Sequence, residues 1–217
     1  MIISELKPWE ELVSHLRKGE KLFIVGCGEC STTCKTGGEP EIRAVKEKLE
    51  KEGYQVTGFT IPKAPCVAAQ IKLELAKNKK SVSEADAILV MACGLGVQSV
   101  KTNDRSQKPV HVATNTLFMG ALDPTGKGFL EYCSACGNCV LELTGAICPI
   151  TRCAKGLLNG PCGGQNKGKC EVDRNKDCAW ILIYDELKKQ GKLNLLKEIS
   201  PVRDYSKKVH PHALTLK

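Results

Sequence analysis

The sequence predicts an α/β protein: a Rossmann- or flavodoxin-like parallel sheet, followed by a cysteine-rich, ferredoxin-like segment and a C-terminal helix. Three observations predict it. Short apolar runs alternate with amphipathic segments up to about residue 125. Eight of the 13 cysteines fall between Cys133 and Cys178. Across that stretch hydrophobic periodicity gives way to cysteine, glycine and proline. The expected division is an α/β domain over residues 1–125 and a cysteine-rich domain, with a docking helix and tail, over 126–217.

The elements follow in order. "WEELVSHLRK" reads as a helix, with Pro8 near its first turn and Gly19 at its end. "KLFIVG" is a short apolar strand. "PEIRAVKEKLEKEG" is the clearest helix: Pro40 opens it, Ile42, Val45 and Leu49 form its apolar stripe, and Gly53 closes it. "YQVTGFTI" is the second strand and "VAAQIKLELAKNKK" a further helix. "DAILVMA" is continuously apolar, as a strand buried on both faces must be. "VQSVKTN" gives a short helix and "PVHVATN" a fourth strand. From Gly126 no period remains, and "NGPCGGQNKGKC" cannot build a core unaided. Such a segment needs staples, and bound metal would supply them. "CAWILIYDELKKQGK" then packs back through Trp180, Ile181, Ile183, Tyr184 and Leu187.

Composition narrows the chemistry. "MIISELKPWEELVSHLRKGE" mixes acids and bases from the start, so no secretory leader is expected. No apolar run approaches ~18 residues. A cytoplasmic, reducing location is the expectation, and it keeps thiols available for metals. An odd cysteine count also suits metal ligation better than complete pairing. The formal charge of +8 counts cysteines as neutral. A cubane held by four thiolates carries roughly −2, so three of them would bring the total to about +2. Nucleic acid is therefore not expected, and the low aromatic content removes base-stacking platforms. The basic tail "SKKVHPHALTLK" reads as solvated.

Five cysteines belong to the first half. Cys27, Cys66 and Cys93 follow the first, second and third strands, at the carboxyl edge where open α/β sheets bind ligands. In a 2-1-3 strand order these ends lie within ~10 Å of one another. Cys30 and Cys34 come from the first loop, and one helical turn would put them on one face. Cysteines 66 and 93 could instead be small core residues, but five convergent thiols favour a cluster site. A cubane needs four thiolates, which leaves one of Cys27, Cys30, Cys34, Cys66 and Cys93 spare. Gly26, Gly28 and Gly94 are read as room for backbone beside a cluster, or as turns. No phosphate-binding loop is present, and the glycine pattern is a poor dinucleotide fingerprint.

The second half carries Cys133, Cys136 and Cys139 as C-x2-C-x2-C, then Cys148 before Pro149. This is the bacterial ferredoxin run with a lengthened last gap, a pattern in which the last cysteine can serve another cluster. Cys153, Cys162, Cys170 and Cys178 could complete a second site. Eight thiols suffice for two cubanes or two tetrahedral zinc ions. Three closely spaced ligands suit a cubane better than one ion, so zinc is the alternative at a C-terminal site. No acid–base pair or Ser/His/Asp ordering is evident, so no catalytic residue is expected. Of the histidines His15, His111, His210 and His212, His111 is read as a core residue and the last two as solvated.

"CSACGNCVLELTGAICPITRCAKGLLNGPCGG", with "GKCEV" and "CAWILIYDELKKQGKL", resembles the methylenetetrahydrofolate reductase C-terminal-type domain. "VGCGECSTTCKTGGE", the Pro-Cys at Cys66 and "LVMACGLGVQ" resemble the remaining half of MetV-type subunits, the small iron–sulfur subunits of acetogen-type methylenetetrahydrofolate reductase. The resemblance implies two or three [4Fe–4S] clusters and a MetF-type flavoprotein partner that holds flavin and folate. It also implies a role in one-carbon metabolism of the Wood–Ljungdahl kind. The chain would pass electrons to the partner in reduction of methylenetetrahydrofolate to methyltetrahydrofolate, as a non-catalytic subunit of an oxidoreductase that further electron-transfer subunits could join. A zinc-stapled scaffold of the same complex is the rival expectation. An independent reductase with its own flavin is disfavoured by the thiols crowding the crevice.

Overall fold

The computed structural model describes residues 1–215. The chain folds as two compact units, Met1–Phe118 and Met119–Lys217.

The first unit is built on a parallel sheet of β2 (Lys21–Val25), β3 (Gln55–Thr60), β4 (Ala87–Val90) and β5 (Val110–Val112), in the order β3-β2-β4-β5. Helices α2 (Cys30–Thr33) and α3 (Glu39–Lys51) connect β2 to β3. Helices α4 (Ala68–Lys77) and α5 (Lys79–Glu84) lead to β4, and α6 (Gly94–Asn103) leads to β5. Val25 is paired with Thr60 on one side and Val90 on the other, so three strands end level.

Alternation along β2 and β4 fills both faces. Phe23, Val25, Ile88 and Val90 pack with Ile71, Leu75, Val82 and Val100. Leu22, Ile24, Ala87 and Leu89 pack with Leu12, Ile42, Val45 and Leu49, where Leu12 belongs to α1 (Trp9–Ser14). This two-sided burial is why "DAILVMA" carries no polar alternation. Glu41 secures the start of α3, its carboxylate accepting the Gly38 N–H at 3.1 Å. Gly53, at φ +87°, ends it.

Some elements differ from the sequence expectation. Helix α1 stops at Ser14 rather than near Lys18, and the segment after β3 breaks into α4 and α5 at Asn78. Strand β1 (Ile2–Leu6) and the long β6 (Thr114–Leu122) were not expected, nor was β7 (Phe129–Cys133); the three form a sheet of order β1-β6-β7. Their residues are largely half-buried or exposed, so no strong period-2 pattern marks them.

In the second unit, the end of β6 pairs antiparallel with β7. The turn between them is local chemistry: the Asp123 carboxylate accepts from Thr125 Oγ1 (2.7 Å) and Lys127 N (3.2 Å), and Gly126 N bonds the Asp123 carbonyl. A short α7 (Pro149–Arg152) packs on β7, and α8 (Ala179–Lys189) supplies the buried core of Trp180, Ile183 and Leu187. Tyr184, expected inside, is 42% exposed. The long segment between α7 and α8 has only isolated bridges, Asn166 with Lys169 and Lys169 with Asp177. No described helix is long and apolar enough to cross a membrane.

Candidate functional site

All thirteen cysteines are free thiols. In the first unit, Cys27, Cys66 and Cys93 emerge beyond the level ends of β2, β3 and β4. Cys27 and Cys93 are buried and Cys66 is exposed at the rim. Burial pushes the Cys66 thiol up, and the charges of Cys93, Cys27 and Cys30 push it further, against a backbone hydrogen bond. These four sulfurs are therefore electrostatic neighbours, and a cation among them would reverse the repulsion.

The loop that carries Cys27 and Cys30 is tightly bonded. Cys27 N donates to the Gly37 carbonyl (3.0 Å), and Thr36 N and Gly37 N both donate to the Ser31 carbonyl (2.8 and 3.2 Å). Thr32 Oγ1 donates to the Cys27 carbonyl at 2.7 Å. The Cys34 thiol donates to the Ile2 carbonyl at 3.8 Å. Cys30 Sγ accepts the Ile2 N–H at 3.5 Å.

In the second unit, Cys153, Cys162, Cys170 and Cys178 line one small cleft with Arg152, Lys155, Glu171 and Trp180. Its free volume is about 20 Å³. Cys170 N donates to the Lys176 carbonyl, and Cys178 N to the Gly168 carbonyl at 2.7 Å, so two ligand positions share one small framework. Backbone hydrogen bonds at Val172 and Asp173 hold the Cys170 thiol below its ordinary pKa. Glu171 pairs with Lys155 and accepts from the Cys162 thiol at 3.5 Å. Trp180 Nε1 donates to the Leu157 carbonyl at 3.1 Å and walls the cleft with its ring.

Cys133, Cys136 and Cys139 occupy the end of β7 and the loop after it. Cys148 is the N-cap residue of α7, whose Thr151 Oγ1 donates to the Tyr132 carbonyl at 3.2 Å and whose Arg152 stacks on the Tyr132 ring at 5.3 Å. Burial pushes the Cys136 thiol up, but a backbone hydrogen bond at Asn138 and the Arg203 guanidinium outweigh it, and the pKa is lowered. The Arg203 contact has no signal in the sequence, where the segment after the docking helix reads simply as a tail.

Helix termini add a favourable field. Cys93 is the N-cap residue of α6 and Cys178 that of α8, while Cys66 stands just before the N-cap residue of α4. No N-cap side chain bonds the first turn in any of the three.

Among the described residues, no three His, Cys, Asp or Glu side chains stand within one ion's coordination shell. A tetrahedral zinc–thiolate site, with bonds near 2.3 Å, needs sulfurs about 3.8 Å apart; a cubane spreads its four ligands more widely.

The histidines form no site. His111 Nε2 lies 3.2 Å from Glu20 Oε2, outside hydrogen-bond geometry, and the ring is only partly buried. His210 and His212 are exposed, with their rings edge-to-face at 5.0 Å.

Residues 111–206 match the family model described as "Methylene-tetrahydrofolate reductase C terminal". No curated protein and no solved structure matches the chain.

Proposed function

We propose that the chain is an iron–sulfur electron-transfer subunit of a methylenetetrahydrofolate reductase and pairs with a MetF-type flavoprotein that holds flavin and folate. The observation that carries this is a set of thirteen free thiols, four of which line one cleft of the second unit, in a chain whose residues 111–206 match the reductase C-terminal model. Cys27, Cys30, Cys66 and Cys93 would hold one cluster, and Cys133, Cys136, Cys139 and Cys148 a second. Cys153, Cys162, Cys170 and Cys178 would hold a third metal group. Cys34, which is not among the charges that act on Cys66, would be the spare thiol of the first unit.

Bound clusters supply one-electron transfer. The protein's own part is to hold thiolates, exclude water and set charge. The level strand ends fix three ligand positions on a rigid sheet. Helices α4, α6 and α8 turn their positive ends to the thiolates. The second unit, with only Trp180, Ile183 and Leu187 as its large buried apolar residues, gains stability from metal ligation that its small core does not supply.

Zinc at the third quartet is the alternative, since four thiolates also suit one tetrahedral ion. The clusters would then number two. A purely zinc-stapled scaffold is the competing function.

The test is direct. The oxygen-free chain, reduced and mixed with the oxidised flavoprotein, should bleach the partner's flavin at a rate set by the chain's concentration. A flavin that stays oxidised, with the chain holding only zinc, would establish the scaffold instead.

A further inference from the structure

After α8 the chain is exposed from Pro201 to Thr215 with one exception. Arg203 is only 9% exposed. Its Nη2 donates to Cys136 Sγ at 3.0 Å and to the Asn138 carbonyl at 2.6 Å. Its Nη1 is buried and has no hydrogen-bond partner among the described residues. Ser134 Oγ, next to Cys133 in sequence, is likewise buried and unpartnered. Lys207 closes over the same loop: a Cβ on Gly137 would stand 2.6 Å from Lys207 Cβ and 3.2 Å from the Lys207 carbonyl oxygen. Gly137, at φ +74°, is what lets the loop and the tail meet.

A buried guanidinium needs anionic acceptors for its five N–H groups. Here it meets one carbonyl and one sulfur. Two buried donors, Arg203 Nη1 and Ser134 Oγ, flank a C-x2-C-x2-C loop with nothing to bond. The missing acceptor is a group of negative charge and several acceptor atoms, and a thiolate-bound iron–sulfur cluster offers both thiolate and sulfide. A guanidinium is a fixed cation.

We infer that Arg203 is a positioning residue for the metal group held by Cys133, Cys136, Cys139 and Cys148, donating hydrogen bonds to its sulfur and shifting its reduction equilibrium toward the reduced form. This rests on the reading that these thiols hold an iron–sulfur cluster. Reduction adds one negative charge to the group, and a fixed buried cation against it stabilises that charge. Hydrogen bonds to cluster sulfur act in the same direction. The electron comes from an external reductant, and no proton moves at Arg203. The guanidinium also ties residues 203–207 over the cluster loop, which makes this tail segment part of the site.

The test compares the full chain with R203Q and R203K, each reconstituted with iron and sulfide without oxygen and titrated with dithionite while EPR signals are followed. In R203Q, iron and sulfide should match the wild type. One signal should need a reductant at least tenfold stronger in equilibrium terms, which is 59 mV for a one-electron couple. The signals of other clusters should not move. R203K should shift the same signal less, because it keeps the charge but cannot span both the sulfur and the Asn138 carbonyl. Full iron content with every signal superimposed on the wild type overturns the inference and leaves the cluster reading intact. A wild-type chain that takes up no iron overturns both. If R203Q loses iron, R203K decides, and a wild-type titration from it overturns the inference.

Discussion

Replacing Gly37 with alanine should loosen the first unit and empty its cysteine site. Gly37 sits where the loop from Cys27 doubles back over the end of β4. An added Cβ would run into the Met91 carbonyl oxygen, and would stand 3.0 Å from the Met91 carbonyl carbon and 3.0 Å from Ser31 Cβ. That oxygen is the nearest obstacle, so the loop must retreat by more than about 1 Å to restore ordinary contact, about 3.5–4.0 Å between carbons. Neither obstacle is a flexible side chain. Overpacking of this kind costs about 1–3 kcal/mol. The retreat also pulls on the bond from Cys27 N to the Gly37 carbonyl and on the turn that carries Cys30, while Cys93 stays fixed to β4. Amide exchange read peptide by peptide isolates this unit. In β2 and β4, exchange through opening of the whole unit should quicken about five- to 150-fold, and iron per chain should fall by one cluster. Gly94→Ala is the control, since its Cβ meets only Thr116 Oγ1 at an ordinary 3.5 Å. If Gly37→Ala matches Gly94→Ala in both exchange and iron, the close-approach argument is wrong.

Other outcomes are expected. Cys34→Ser should keep the iron of the first unit and Cys66→Ser should lose it; equal iron in the two variants would show that Cys34 is a ligand. Chelation of the metal should expose the second unit to protease while leaving the β3-β2-β4-β5 sheet protected from amide exchange, and coincident loss of both would mean that the first unit also depends on metal. Trp180→Ala removes a fully packed indole and its bond to Leu157, so the second unit should lose about 3–5 kcal/mol, seen as a lower urea midpoint of the metal-loaded chain. Glu74 is held below the usual carboxylate range by hydrogen bonds from Lys77 and then Thr60. Because its folded pKa lies under its unfolded one, its contribution is complete above the unfolded value and is lost as pH falls through the folded one. Glu74→Gln should therefore cost up to about 1 kcal/mol at neutral pH and nothing in strong acid, as melts at the two pH values would show.

The parallel sheet was legible because its strands are locally self-declaring: "KLFIV" and "AILV" are buried on both faces, so their composition alone marks them. The order β3-β2-β4 is the 2-1-3 order that was supposed rather than derived; the placement of Cys27, Cys66 and Cys93 after the strand ends was readable from their positions behind the apolar runs. The antiparallel strands were not legible. β1 pairs with residues more than a hundred positions away, and β7 is mostly exposed, so neither carries a pattern. The turn at Asp123–Gly126 went unread, and nothing in the sequence announced that the flanking residues pair. The splitting of α4 from α5 at Asn78 depends on packing against β3 rather than on any breaker such as proline. Cysteine spacing showed where thiols crowd along the chain, yet not which of them share a cleft. The cleft joins Cys153 with Cys162, Cys170 and Cys178, and the backbone bonds that place Cys170 and Cys178 leave no pattern in the sequence. Arg203 was invisible for a similar reason, since it reaches Cys136 across 67 residues.

The most direct measurement is iron, acid-labile sulfide and zinc per chain in protein purified without oxygen. Iron and sulfide in equal amounts, about eight to twelve of each per chain, is the predicted result, with at most one zinc beside eight iron. Zinc in place of iron, with no sulfide, would contradict the account.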